Sequence, residues 1–587
     1  MRRLLKSAGK KRRTADEPCN PLKTKQEPLS SCFLSAPVAG LANWQAAAAY
    51  HMRMHRLRLT LPTLAAAYAL ALLAGLLAWS ATGAWSAGFS GADEPAHFLN
   101  IWFVATYLSD ALGQNPLLYA TEYYLHYPKI SIGHWPPAFY GLTAPFFWGM
   151  PATPQAALAL NLFICALPAL GIAWLLLRLH GRVAALAGAA LWALTPLAIE
   201  GFAFVMLDQA LAAVTLAAAL VWIAFSSRQT WPRILLFAAL TALAILIKGN
   251  GWLAVLVPPL HVALTGRWDL LRSAKLWAGA AIGLVLVGPW YLATAGISAD
   301  GFNYAPGPAF AAKALAYNFG ALAQNIGLFG LLLAAIGAVD AYRRGGAARS
   351  IAAACLSLLL AALALQSAVP VDLDPRYMAP ALPPLLVLAV AGAAALGRLV
   401  PAPRAWAAIA ALILTLPGAV HLATREPKTN LRMEEAAAIA AANGGEAWLI
   451  DGGSGAEGAF IAAMAVRDPG LRGYTVRASK LLAESDFMGN RYALRFTDPA
   501  MAAAEMRKLG LAGVVVAKRP GVEEFPHRPL LAAALADPAS GYGLVAELPH
   551  KGRAGITRIY KANTPRTANA EAIRALGVPD KAKLALE

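Results

Sequence analysis

A chain of 587 residues that is 58% hydrophobic and only 14% charged, with a mean hydropathy of +0.52, excludes a single soluble domain and points to a polytopic membrane protein. The net charge of +18 raises nucleic-acid binding, but Lys and Arg gather in the N-terminal tail and in short breaks between apolar runs, where the positive-inside rule puts them. The charge is therefore assigned to topology and no nucleic-acid partner is expected. Cys19, Cys32, Cys165 and Cys355 show neither metal-ligand spacing nor a disulfide pattern.

Residues 1–56 are basic and rich in Ala, Ser and Pro, without a sustained apolar period, and read as a disordered cytoplasmic tail. From Met52, MRMHRLRLTLPTLAAAYALALLAGLLAW has the basic flank and apolar core of a signal anchor, which makes Met52 or Met54 a candidate start. Residues 57–424 then carry eleven runs long enough, or nearly so, to cross a bilayer: 61–82, 156–177, 183–199, 208–225, 234–248, 251–265, 276–294, 321–340, 351–369, 380–399 and 405–422. The fifth and sixth are short and meet at LIKGNGW. With the N-terminus inside, each of five cytoplasmic loops holds at least two cations, among them Arg178 with Arg182, Arg343 with Arg344, and Arg398 with Arg404. The opposite loops collect acid: Asp93, Glu94, Asp110, Glu122, Glu200, Asp208, Asp300, Asp372 and Asp374.

The first outer loop, 84–155, is long and semi-hydrophobic. Its YLHYPKISIGHWPPAFYGLTAPFFWG suits short helices lying in the membrane interface, as a lid or groove beside the bilayer. An odd number of spans puts residues 425–587 outside. There the period changes to helix, short buried strand, glycine turn and helix, so a small soluble α/β domain is expected. Gly453-Ser-Gly455-Ala-Glu-Gly458 formally fits a dinucleotide fingerprint, but a tight strand-to-helix turn needs the same glycines, and the turn is the preferred reading.

Charged residues stand at span ends on one membrane face. Asp93 and Glu94 open the helix AHFLNIWFVATYL in SGADEPAHFLN, where a solvated N-cap is the plain alternative. Asp208 begins a span in FVMLDQALAAV and Lys248 ends one in LAILIKGNGW. Arg376 and Tyr377 crowd with Asp372 and Asp374 in VPVDLDPRYMAPALPP. Each has a structural alternative: helix cap for Asp208, snorkelling terminus for Lys248, partner of Asp374 for Arg376. Together, carboxylates and cations beside lipid suit transfer from a lipid phosphate ester. A carboxylate takes the proton of an incoming hydroxyl, while Lys or Arg neutralises the departing phosphate. Tyr127, Trp135 and Tyr140 could pack a sugar ring or prenyl chain, or simply anchor the loop at the interface.

ADEPAHFLN after the first span, HWPPAFY before the second, then MLDQALA, LIKGNGW, GPWYLA and DPRYMAPALPPLLVL make the chain resemble, over residues 57–422, the GT-C glycosyltransferases. The likeness is to bacterial relatives of protein O-mannosyltransferases and of lipid A aminoarabinose transferases, family 39 and 83 type. The resemblance implies a GT-C-like polytopic α-helical membrane protein with a C-terminal soluble α/β domain, in the bacterial plasma membrane. Its donor would be a polyprenyl-phosphate-linked sugar, its acceptor a hydroxyl-bearing glycan, lipid or protein, and transfer would occur on the outer face with inversion and no covalent intermediate. It assigns Asp93 as general base, with Glu94 positioning or binding substrate beside it. Asp208 takes the second acidic position, Lys248 the Lys-Gly motif, and Arg376 and Tyr377 the Arg-Tyr motif.

One departure stands out. Aminoarabinose transferases carry Lys-Pro-Pro where this chain has Trp135-Pro136-Pro137. The donor phosphate would then fall to Lys129, His134 or Lys248, and aminoarabinose is disfavoured as the sugar. No cofactor or divalent metal is expected. A transporter of a lipid-linked or small polar solute is the alternative from another class. It calls for inverted repeats and mid-membrane charge, whereas these charges sit at span ends and no internal repeat is evident.

Overall fold

The computed structural model describes residues 38–131, 133–298, 303–484, 492–521 and 525–577. The chain divides into two compact units, Met1–Leu59 and Thr60–Glu587. Of the first, the backbone of residues 38–59 is helical, within the stretch read from sequence as a disordered tail up to residue 56; residues 1–37 lie outside the described residues.

Within the second unit all eleven apolar runs are helical. Eight meet the length and hydropathy of a span: Thr60–Thr82, Pro154–His180, Asp208–Ser227, Ala274–Ala295, Pro308–Arg344, Gly346–Ala368, Pro375–Gly397 and Pro403–Thr424. The pair Arg182–Ala193 and Pro196–Ala203 is bent by 60° and makes a ninth if counted as one span. Thr195 caps the second half through its side chain, with Pro196 at the first helical position, and this punctuation is what breaks the run. The two short segments, Trp231–Ile247 and Leu253–Thr265, have 17 and 13 residues, below the roughly 20 that a straight span needs.

Four helices position the site: α1 (Glu94–Asp110), α2 (Asp208–Ser227), α3 (Trp231–Ile247) and, after the last span, α4 (Ser454–Arg467). Pro95 occupies the first turn of α1, where its missing N–H costs nothing. The first loop contains short helices, as expected, at Pro116–His126, Ala138–Thr143 and Phe146–Gly149.

The C-terminal region contains a five-stranded sheet. Its strands are β1 (Ala447–Asp451), β2 (Tyr474–Arg477), β3 (Gly513–Lys518), β4 (Tyr542–Pro549) and β5 (Ile556–Ala562), in the order β2-β1-β3-β5-β4. β1 pairs parallel with both β2 and β3, whereas β5 runs antiparallel to β3 and β4. The central AWLID strand is buried throughout, as a strand covered on both faces must be.

This region packs directly on the first loop. The Tyr127 hydroxyl donates to Asp468 at 2.6 Å, His126 stacks on Tyr474 at 4.2 Å between centroids, and Lys129 Nζ donates to the Ser454 carbonyl at 3.3 Å. The glycines after β1 are explained by this contact. A Cβ on Gly455 would sit 2.3 Å from the Ser90 carbonyl oxygen, and one on Gly458 2.6 Å from Pro95 Cγ. The fingerprint spacing therefore lets the backbone of α4 approach the start of α1.

Replacing Gly455 by Val should force these backbones apart and cost about 1–3 kcal/mol. A lower unfolding midpoint in a detergent melt is expected; an unchanged midpoint would show that the two segments do not press together.

Candidate active site

Asp93 and Glu94 diverge from the first turn of α1 into different environments. Asp93 holds the N-cap position, yet its side chain accepts no capping bond from the helix. It pairs instead with Arg376 Nη1 at 2.9 Å, across the bundle at the start of the span Pro375–Gly397. Arg376 Nε lies 3.1 Å from Asp374, and Asp374 also accepts the Arg376 backbone N–H at 2.9 Å, which fixes the turn entering the span. Burial alone would raise the Asp93 carboxyl, but surrounding cations, Arg376 foremost, hold it below the usual carboxylate range. Asp93 is thus an ionised, one-third exposed carboxylate, and the solvated-cap alternative does not describe it.

Asp208 and Lys248 form the neighbouring pair. Asp208 opens α2 and Lys248 follows α3; their 2.6 Å ion pair is nearly enclosed, at 3% and 15% side-chain exposure. Lys248 is set by a sharp break. Gly251 N–H bonds back to the Lys248 carbonyl at 2.7 Å, and a Cβ on Gly251 would meet the Ala244 carbonyl oxygen at 2.1 Å, so only glycine permits the fold-back. The centre of the Tyr377 ring is within reach of both cations, 4.7 Å from Lys248 Nζ and 5.5 Å from the Arg376 guanidinium carbon. Five sequence candidates, Asp93, Asp208, Lys248, Arg376 and Tyr377, are therefore one connected cluster built from four helix ends, two of them ends of spans.

Glu94, expected to position or bind substrate, does neither here. Its side chain and that of Lys428 are both fully enclosed, 2.6 Å apart. Glu94 also accepts the N–H groups of Ser90 at 3.1 Å, Gly91 at 3.3 Å and Val205 at 3.4 Å. Every lone-pair direction points at protein, so a substrate has no access to this carboxylate.

The loop candidates divide. Trp135 is half-buried and packs against His97 with the rings tilted by 41° and their centroids 4.3 Å apart, while Tyr140, 4% exposed, holds His97 Nδ1 through its hydroxyl at 3.0 Å. Tyr140 is thus a support and not a face offered to a sugar. Tyr127 is likewise buried and committed to Asp468. Lys129 is brought towards Asp93, but its ammonium is tied to Ser454; burial pulls it down to about 8, with Asp93 and Glu457 acting against that shift. His134 is half-buried, and burial lowers it below its ordinary value. His97 was not singled out in the sequence. Its N–H bonds to the Asp93 carbonyl one helical turn back at 2.9 Å, and burial drives its ring to about 3, so it is a neutral imidazole beside Asp93. The i, i+4 spacing in DEPAH was the available signal. Lys428 lay unnoticed in REPKTN because nothing local links it to residue 94. Among the described residues, no group of three or more His, Cys, Asp or Glu side chains is arranged to hold a metal ion.

Against this geometry stand the similarities to known proteins. A family model described as dolichyl-phosphate-mannose-protein mannosyltransferase matches residues 144–292, the part holding Asp208 and Lys248. Among solved structures, ArnT from Cupriavidus metallidurans in the apo state is similar with a TM-score of 0.51 and 14% identity, over 87% of this chain and 98% of that one. The same protein bound to undecaprenyl phosphate gives 0.51 and 14%, over 84% and 97%. An Archaeoglobus fulgidus oligosaccharyltransferase in complex with Zn and sulfate gives 0.51 and 13%, over 77% and 67%. No curated protein sequence matches. The chain has the fold of the GT-C type membrane glycosyltransferases, as the order of its motifs implied.

Lys428→Met would strand Glu94 as a buried unpaired charge, and a loss of about 3–5 kcal/mol is expected. Adding Glu94→Gln should return much of it, since the penalty belongs to the pair. A double-mutant cycle from unfolding midpoints checks this; simple additivity would mean the two groups do not interact.

Proposed function

We propose that this protein transfers a sugar from a polyprenyl-phosphate-linked donor to a hydroxyl-bearing acceptor, with inversion, at the outer face of a bacterial plasma membrane. The observation that carries the reading is the cluster of Asp93, Arg376, Asp208, Lys248 and Tyr377 at the ends of apolar helices. A headgroup held in the bilayer can reach such a place, and a polar acceptor can approach it from water. ArnT, whose fold this chain shares, has been solved with undecaprenyl phosphate, which supports a prenyl-phosphate donor here.

In this mechanism the acceptor hydroxyl gives its proton to Asp93 as its oxygen attacks the anomeric carbon. The bond from that carbon to the phosphate oxygen breaks on the opposite face, and the electron pair leaves with the phosphate. One displacement inverts the centre. Arg376 and Lys248 neutralise the departing charge, so the chemistry calls on no organic cofactor. The cluster itself carries three carboxylates, Asp93, Asp208 and Asp374, against Arg376 and Lys248. An arriving phosphate must therefore draw Arg376 away from a carboxylate. Drawing it from Asp93 does two useful things at once: the phosphate gains a guanidinium, and Asp93 loses the partner that makes it a weak base. Lys129, tethered at the edge, is the further cation available to the phosphate, as His134 and Trp135 are to the sugar.

The test is release of free polyprenyl phosphate by purified protein in lipid, given a panel of polyprenyl-phosphate sugars and envelope extracts as acceptors. Wild type should show acceptor-dependent release, and Asp93→Asn should lower it by about 10²–10⁴-fold. Intact turnover in Asp93→Asn removes Asp93 as base; no consumption of any donor, with passage of a labelled solute across the vesicle, replaces the enzyme by a transporter.

The ion pair also sets a pH signature. The Asp93 carboxyl lies below its ordinary value in the free protein, so kcat/KM, which reports the free enzyme, should place its acid limb at lower pH than an ordinary aspartate would. Arg376→Gln removes the main lowering charge, and the acid limb should move upward; a limb that stays in place would show that Arg376 does not hold the base.

A further inference from the structure

A second concentration of charge lies in the C-terminal region, at the ends of β1 and β3. A cleft of about 410 Å³ is walled by Arg519, Pro520, Gly552 and Arg553, with Glu426 and Pro427 on its other side. Arg519 follows β3, and its Nη2 lies 3.9 Å from where a Cβ on Gly453 would stand, at the turn entering α4. Arg528 is close behind. Its side chain is 8% exposed, its nearest carboxylate oxygen is Asp451 Oδ1 at 3.7 Å, and its Nε and Nη2 have no hydrogen-bond partner.

These cations are poorly compensated. Arg553 pairs with Glu426 at 2.6 Å on the exposed rim. Asp451 already takes His527 at 3.1 Å. Arg519 has no ion-pair partner among the described residues, and burial together with Arg553 and Arg528 lowers its guanidinium. Among the described residues these three guanidiniums thus share two carboxylates, and the most buried of them keeps unmet donors. A buried donor without a partner costs roughly 1–3 kcal/mol, more when charged, and crowding like charges adds to that cost. An anion in the cleft relieves the crowding of Arg519 and Arg553, the two guanidiniums that line it. Arginine favours phosphoryl oxygens because its planar fork donates two parallel bonds.

The position joins this cleft to the cluster around Asp93. Glu426 and Pro427 directly precede Lys428, the partner of Glu94, and Gly453 is two residues from Gly455, which rests on Ser90. We propose that the cleft is an anion-binding subsite that takes a phosphoryl group, from a lipid headgroup or a soluble phosphate ester, on Arg519 and Arg553 with Arg528 behind them. On the glycosyltransferase reading, and resting on it, that group belongs to the acceptor, which would be gripped by the C-terminal region while its hydroxyl faces Asp93.

The experiment uses the full chain in phosphatidylcholine nanodiscs, titrated by calorimetry with inorganic phosphate and, separately, with dihexanoyl phosphatidic acid. Wild type should bind at least one probe saturably, and Arg519→Gln should bind it about tenfold more weakly, a loss of about 1.4 kcal/mol. Arg519→Lys should recover part of the affinity. Phosphate binding alone assigns a soluble source, and tighter binding of the phosphatidic acid assigns a lipid one. If neither probe binds saturably, or if Arg519→Gln binds as wild type does while Lys248→Met does not, the proposal is overturned. Arg553→Gln replaces Arg519→Gln if that variant fails to fold. Donor consumption measured on the same samples separates the two readings. A wild type that binds phosphate yet consumes no donor leaves the anion site standing and removes the glycosyltransferase.

Discussion

The buried pair of Glu94 and Lys428 is the constraint on which the rest of the site depends. Two opposite charges with no solvent contact, 2.6 Å apart, are costly to bring out of water, and the pair is tolerable only because its remaining valences are met. Lys428 Nζ also donates to the Ala203 carbonyl at 2.9 Å and lies 4.4 Å over the Phe204 ring. Its backbone N–H reaches the Thr82 carbonyl at 2.8 Å. One ion pair therefore ties the end of the first span, the turn at residues 90–91, the approach to Asp208 and the strand of chain leaving the last span. Its contribution is geometric more than energetic: it fixes the start of α1 so that Asp93, one residue earlier, is turned towards Arg376.

That division of labour between adjacent carboxylates follows from helix geometry. Successive residues at a helix start project about 100° apart, so Asp93 and Glu94 cannot serve the same space. The enclosed one becomes a joint and the half-open one a chemical group. The burial that closes Glu94 to solvent also holds Asp93 still, and the proposed role of Asp93 as base calls for that, because a base must be in reach of a hydroxyl at the moment of attack.

Apolar runs were legible as helices because a bilayer demands about 20 uncharged residues in a row, and that demand is written locally. The cluster was legible for a related reason. A charge at a span end is conspicuous in a greasy sequence, so Asp93, Asp208, Lys248, Arg376 and Tyr377 stood out without any contact being known. Span lengths were less legible, since the break at Thr195-Pro196 and the fold-back at Gly251 alter a helix without altering its hydropathy. Partners were the least legible. Lys428 lies 334 residues from Glu94 and Asp468 lies 341 from Tyr127. No period or spacing encodes such pairs, which explains why Glu94 and Tyr127 looked available for substrate when both were already engaged.

The same long-range contacts give the C-terminal region a mechanical meaning that its sequence conceals. Its glycine turn is shaped to receive Ser90 and Pro95, its Asp468 and Tyr474 hold the aromatic loop through Tyr127 and His126, and its leading strand of chain supplies Lys428. The region thus braces Asp93 from two sides, through the loop and through Glu94. A rigid brace of this kind matters for a site whose substrate is shared between two phases. On the proposed reaction a lipid-borne donor would arrive with its tail held in the membrane, and Asp93 as base would have to be held at a defined position relative to it. Packing the α/β region onto the first turn of α1 fixes the position of Asp93 with close contacts of the Gly455 and Gly458 backbone, and backbone yields less than side chains do.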